Sequence, residues 1–420
     1  MIYVYLFLNI LLSIISILIT KKKTNPVVLF NTVWFGIIFL YQFKLSYLQQ
    51  DLTTDTYIVM ILALLAFFFS FFICSLINHR LLNKTENNER IVDKDIINIK
   101  KINLIFLFWI IISIVEIVYS GGLPLIWKLT GSSKTYFDFG IPSVHGFMNS
   151  IGLVLLLLYY FIFLKNHKVN KSLSRSGIFH IIFILGYYLF LITRQILISG
   201  LIELAVITIY YRKFKGKKFN YKNIPKIILA VIILIIAFGI IGNVRTGYSS
   251  FMNVAMFKYD VSNFFAGFAW VYMYLTMTLA NINKLVSLSF VSLGSYPVLN
   301  TFIPTVISKI IYSSSSISTP TYLVTSAFNV SGYFVEFYLG YKLLGVIIIT
   351  SLYGIFAYIF YRKVNNKLSL KNVLYYSVMV QIILLSFFYN HLLYLPSSFQ
   401  FVVIYVIFHF VLGKGEIWKK

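Results

Sequence analysis

Long apolar runs broken by short polar segments set the rhythm of this chain. Runs fall near 2–20, 27–43, 57–77, 102–119, 147–164, 177–193, 195–211, 226–242, 342–360, 372–389 and 398–413. Each is close to the roughly 17–25 residues that a helix needs to cross a bilayer. The pattern predicts an all-α integral membrane protein of eleven spans, organised as a single polytopic membrane domain over 1–420. No internal repeat is clear enough to suggest the inverted halves of a transporter. The first run has the length of a signal peptide, but its charges, Lys21, Lys22 and Lys23, follow the apolar stretch. That order anchors the C-terminal end of the run in the cytoplasm and leaves the N-terminus outside.

Charge placement tests the alternation. Segments 21–23, 78–101, 165–176, 211–226, 361–371 and 413–420 hold 27 of the 36 Lys and Arg residues, the bias expected of cytoplasmic loops. Reporter fusions after residues 88 and 218 are therefore expected to score cytoplasmic, and one after residue 316 external. An external signal at residue 88 would overturn the alternation. Composition agrees: 59% of residues are hydrophobic, mean hydropathy is +0.85, and 11% are charged, against about 25% in soluble domains. Because the net charge of +24 sits in those blocks, it reads as membrane orientation and not as a nucleic-acid surface. The single cysteine, Cys74, excludes an intrachain disulfide and a cysteine metal cage.

The stretch 243–339 begins and ends on the outer side in this scheme, so it holds either no crossing or an even number. Residues 264–282 and 296–312 are apolar enough to cross as a pair, which would make thirteen spans. No basic cluster separates them, so the expectation is a large external loop with interfacial or re-entrant helices.

Polar residues at the outer ends of spans carry the chemistry, because each is expensive in a membrane. Five of the seven arginines lie in cytoplasmic loops; Arg194 and Arg245 stand at outer ends of apolar runs. One such arginine reads as snorkelling to the headgroups. Two beside a cavity point to phosphate, whose oxygens match the guanidinium fork. Glu116 and Glu203 fall inside spans, either as partners of a bundle arginine or lysine or as carboxylates lining a wet cavity and binding sugar hydroxyls. The loop 120–146 supplies Tyr136, Asp138 and His145 among glycines, prolines and aromatics. Aromatic faces suit sugar rings, and Asp or His can accept a hydroxyl proton; equally, Trp127 and Tyr136 suit a simple interfacial anchor. Glu336 and His391 complete the outer candidates, while His180 and His409 read as packed histidines. The cytoplasmic Asp93-Lys94-Asp95 has the two-carboxylate spacing of metal-dependent sugar transferases, but with charged flanks and no nucleotide-binding unit it reads as a solvated loop. No outer cluster has metal-ligand spacing, so neither a metal nor any other cofactor is expected.

Four stretches resemble the Wzy-type polymerases of bacterial O-antigen and capsule repeat units: TNPVVLFNTVWFGIIFLY at 24–41, GGLPL with FGIPSVHG within 121–146, TRQILISGLIEL at 193–204, and FNVSGYFVEFYLGYKLLG at 328–345. Some members of that family carry a glycine eleven positions after each of two external arginines. Here those positions are Ala205 and Met256, so family site assignments carry over only as external arginines, Arg194 and Arg245. The resemblance implies an enzyme of the bacterial cytoplasmic membrane with its active site facing out. Its donor and acceptor would be undecaprenyl-diphosphate-linked oligosaccharides, and a chain-length regulator and a flippase would be its partners. It implies a fold similar to other membrane glycosyltransferases that use lipid-linked donors, and inverting transfer without a metal. Arg194 and Arg245 would grip the leaving diphosphate; His145, Asp138, Glu336 and His391 are admissible bases. An O-antigen ligase and a non-enzymatic flippase or transporter of the lipid-linked unit remain the alternatives.

Overall fold

The computed structural model describes residues 1–81, 98–167, 170–216, 224–303, 307, 310, 311 and 320–411. Helix is the regular structure they form, joined by turns and loops, with one isolated bridge between Ser46 and Phe257. The helices are α1 (Ile2–Thr20), α2 (Pro26–Tyr41), α3 (Thr54–Leu81), α4 (Ile99–Ser120), α5 (Pro124–Leu129), α6 (Val144–Asn166), α7 (Lys171–Phe190) and α8 (Arg194–Phe214). They continue as α9 (Ile224–Thr246), α10 (Tyr248–Ala255), α11 (Ala266–Ser287), α12 (Tyr296–Phe302), α13 (Val335–Asn366), α14 (Leu370–Leu384) and α15 (Leu395–Val406). Among the described residues nine are long and apolar enough to cross a membrane: α1, α3, α4, α6, α7, α8, α9, α11 and α13. The apolar helices α2, α14 and α15 are shorter. The architecture is that of an all-helical, multi-pass membrane protein.

Local chemistry sets the helix ends. Asn25 caps α2 by accepting from the Val28 amide at 3.1 Å, with Pro26 in the first turn where a missing N–H does no harm. Asn98 caps α4 in the same way, and Gly121 closes it in the left-handed region at φ 74°. Within α13 the helix is interrupted at Lys342, with φ 53° and ψ −135°, so a short helical segment precedes the long helix. The sequence boundary placed at 342 falls on this interruption. Apolar helices are tied together by paired polar groups, as hydrocarbon requires: Asn9 donates to the Asn31 carbonyl at 3.1 Å, and Asn31 returns a bond to the Asn9 carbonyl at 3.2 Å, joining α1 to α2.

The segment 264–282, open between crossing and interface in the sequence, becomes α11, and α11 organises the bundle. It packs against α9, α2 and α3, with most of its length buried. Tyr272 accepts from the Leu45 amide at 3.0 Å and donates to Gln49 at 2.9 Å. Eleven residues further along, the Asn283 carboxamide accepts from the Thr53 amide and the Thr56 hydroxyl, both at 2.8 Å. Two well-separated points of α11 therefore hold the single connection between α2 and α3. Asn281 donates to the carbonyls of Phe328 and Val330 at 2.8 and 2.7 Å, and Thr278 to that of Phe387 at 2.9 Å. The other segment left open, 296–312, shows only the seven residues of α12 and lies largely outside the described residues. Asp93 and Asp95 also lie outside them.

Candidate functional site

Arg194 is the first residue of α8, at the three-residue turn after α7. Its side chain does not reach outward: the residue is only 6% exposed. The guanidinium is boxed by the rings of Phe238, Trp270 and Tyr274, whose centroids lie 4.4, 4.8 and 5.3 Å away. Nη2 donates to the Tyr274 hydroxyl at 3.0 Å, while Nη1 is buried and has no hydrogen-bond partner. A planar cation between aromatic faces is favourable, but an unused guanidinium N–H away from water is an open valence. Snorkelling, the plain reading of this residue, is therefore not what the side chain does.

Arg245, one residue before the end of α9, is half-buried and lies over the ring of Tyr136 at 3.9 Å. Tyr136 stands between the two arginines. Burial raises its phenol pKa, and the Arg245 charge and hydrogen bond work against that, with a smaller contribution from Arg194. Arg194 in turn feels Arg245. Two arginines that sequence separates by 51 positions are thus close enough to influence each other, Arg194 against Phe238, Trp270 and Tyr274 and Arg245 against Tyr136 and Phe137. Tyr389 and Tyr394 form a further wall: the Gln195 carboxamide, next to Arg194, donates to the Tyr389 hydroxyl, and both rings lie near enough to Tyr136 to influence it electrostatically.

The loop after α4 brings in the acid–base pair. Glu116 is fully buried, one turn before the end of α4. Its Oε1 accepts from the Ile141 amide at 3.3 Å and its Oε2 pairs with His145 Nδ1 at 3.2 Å. Among the described residues neither an arginine nor a lysine pairs with it, contrary to the structural alternative raised by the sequence. With Glu116 as a carboxylate, which only accepts, Nδ1 would be the donor of this contact and a neutral ring would hold its lone pair on Nε2. His145 keeps partial exposure, with 25% of its side chain open, whereas Glu116 has none.

The remaining candidates fall elsewhere. Asp138 turns back on its own loop, accepting from the Thr135 amide at 2.7 Å and hydroxyl at 2.9 Å. Those two bonds lower its pKa, making it a loop fastener and a poor proton acceptor. His391 is sealed, bonded through Nδ1 to Gln381 at 3.1 Å and Ser397 at 3.0 Å, and burial lowers its pKa. Glu203 is also sealed, accepting from Gln400 at 3.1 Å. Both are wholly buried, against the wet-cavity reading of Glu203 and against an accessible base at His391. Glu336, at the start of α13, has one carboxylate oxygen without a partner and lies near Tyr322 and Tyr353. His180 is packed as expected, stacked on Tyr159 at 4.0 Å. Trp270, Tyr274, Tyr389, Tyr394 and Gln195 were not singled out by sequence; the only signal there was aromatic density, with 32 tyrosines in the chain. Among the described residues no group of three His, Cys, Asp or Glu side chains is placed to hold a metal ion.

No protein-family model, curated protein or solved structure matches this chain.

Proposed function

We propose that the chain is a membrane glycosyltransferase that polymerises undecaprenyl-diphosphate-linked oligosaccharide repeat units for a bacterial O-antigen or capsule, working on the outer side of the cytoplasmic membrane. The observation that carries this reading is the pair of ring-packed arginines, Arg194 and Arg245, within electrostatic reach of each other, with Arg194 Nη1 buried and unpaired. A lipid diphosphate is the strongly anionic group that such a pair fits, and aromatic walls suit both the sugar and the isoprenoid that flank it.

In the proposed reaction a hydroxyl of the non-reducing sugar of one lipid-linked unit attacks the anomeric carbon of the growing glycan. The new C–O bond forms as the bond to the diphosphate breaks, with inversion, and the electron pair goes to the phosphate oxygen. Arg194 and Arg245 stabilise that developing charge more than they stabilise bound donor. His145 Nε2 takes the hydroxyl proton, and Glu116 stabilises the imidazolium that results. The donor set favours no metal in these roles, so purified enzyme acting on lipid-linked units is expected to keep its activity in chelator. Loss with EDTA and rescue by manganese would reverse that and bring Asp93 and Asp95 back into consideration.

The deciding experiment is gel analysis of glycan length in a strain lacking the gene. Single repeat units on the final acceptor support the polymerase. Unattached polymer on the lipid carrier would indicate the ligase, and lipid-linked units held on the cytoplasmic side would indicate the flippase.

A further inference from the structure

Below the arginine cluster, one face of α8 continues into the bundle as Gln195, Ser199 and Glu203, spaced four residues apart and so about 6 Å per step. Ser199 accepts from Gln381 Nε2 at 3.1 Å, and Gln381 Nε2 also meets His391 Nδ1. His391 Nδ1 meets Ser397, and one turn along α15 from Ser397, Gln400 donates to Glu203 Oε1. The circuit is closed. Its six members, Ser199, Glu203, Gln381, His391, Ser397 and Gln400, are all at most 1% exposed.

Four atoms of this circuit have no partner: Glu203 Oε2, Gln400 Oε1, Gln381 Oε1 and His391 Nε2. Their inventory is unbalanced. Gln381 Nε2 can only donate, so His391 Nδ1 accepts and Nε2 carries the hydrogen. That leaves three acceptors facing one donor, and an uncompensated carboxylate away from water. Among the described residues no lysine or arginine lies within ion-pair distance of Glu203. On the helices packed against α8, Tyr188 of α7 is coupled electrostatically to Glu203, Tyr160 of α6 bonds Thr208 five residues further along α8, Tyr376 of α14 is coupled to Tyr210, and Arg194 lies more than two turns up α8.

One added proton resolves the imbalance. On Glu203 Oε2 it gives a donor to Gln400 Oε1, the other half of a carboxamide whose nitrogen already bonds Glu203 Oε1. The remaining two atoms, His391 Nε2–H and Gln381 Oε1, are then one donor and one acceptor, a balanced count that buried water can satisfy. We infer that Glu203 is a proton-binding site: a neutral carboxylic acid paired head to head with Gln400, whose proton keeps α8, and with it Arg194, seated against α14 and α15. The inference is independent of the reaction proposed above.

The sign of its pH dependence follows. In the neutral to alkaline range the folded chain holds this proton and the unfolded chain does not, so raising pH favours unfolding. The test is infrared spectroscopy of the full chain in lipid nanodiscs. At neutral pH a carbonyl band of a protonated carboxylic acid is expected above the amide I envelope. Glu203→Gln should abolish it while keeping helix content and removing the alkaline fall of the unfolding midpoint. Gln400→Met should keep the band and move its frequency, and this decides the matter alone if Glu203→Gln fails to accumulate. An unchanged acid-band region in Glu203→Gln, or in Gln400→Met, would overturn the inference. So would a midpoint that depends on sodium over choline and loses that dependence in Glu203→Gln, because the bound cation would then be a metal ion.

Discussion

Replacing Arg194 or Arg245 by alanine is expected to lower polymer formation by about a hundredfold to a thousandfold at equal protein level. The magnitude follows from losing one fixed donor to a developing oxyanion, about 2.7–4 kcal/mol of transition-state stabilisation. Geometry separates this from an anchoring role. An arginine that merely reaches the headgroups is replaceable by lysine, whereas Arg194 lies flat between Phe238, Trp270 and Tyr274 with one nitrogen on the Tyr274 hydroxyl. Lysine has neither the plane nor the second nitrogen, so Arg194→Lys should restore only part of the activity. Arg245→Lys should recover more, because Arg245 is half-buried over a single close ring. The measurement is chain length beside membrane abundance for the four variants. Full-length polymer from both alanine variants at normal abundance would place the active site elsewhere.

The second large effect is expected at the pair built on α4. His145→Ala should reduce turnover by about a hundredfold to ten-thousandfold, the usual contribution of a positioned general base. Glu116→Gln tests the pairing separately. An amide nitrogen turned toward Nδ1 would favour hydrogen on Nε2, the position that has to accept, so turnover should fall while binding of the lipid-linked unit is retained. The split is read as a drop in kcat with KM little changed. His391→Ala is the comparison: its ring is sealed among Gln381, Ser397 and Tyr389, so its loss should appear in stability before catalysis. Wild-type rates from His145→Ala would remove the imidazole from the mechanism.

Much of the scaffold was legible in the sequence, and the reasons are local. Twenty-residue apolar runs can do little else but form helices in lipid, and Asn25-Pro26, Asn98 and Gly121 mark helix ends by bonds to their own neighbours. The place of α11 was not legible. Its composition suits a span or an interfacial helix equally, and its central position rests on Tyr272, Asn281 and Asn283 bonding backbone that lies 43 to 232 positions away in the chain. The site divides along the same line. Arg194, Arg245, His145 and Glu116 stood out individually because polar groups near apolar runs need a reason. Which of them would meet did not, since the 29 positions between Glu116 and His145 carry no periodic signal, and neither do the 51 between the arginines. Glu203 was left open between a bundle ion pair and a wet cavity, and His391 was placed among the outer candidates, because position along a span gives depth, whereas burial depends on which neighbouring helix covers that face.

The approach of α9 to α11 has an effect on what variation the site tolerates. At Gly239 and Gly267 the two backbones meet so closely that a methyl on either would fall inside the other chain, and a methyl on Gly242 would lie 2.7 Å from Arg194 Nη1 and 2.8 Å from Trp270. The width of the arginine slot is therefore fixed by hydrogen atoms at three positions, and no side chain there sets it. Drift toward alanine at Gly239 or Gly267, neutral on most lipid-facing helices, would here prise Trp270 and Tyr274 from the guanidinium and silence the site from a distance. In any collection of inactive variants, these three glycines should therefore appear beside the charged residues, although none of them offers a ligand an atom of its own side chain.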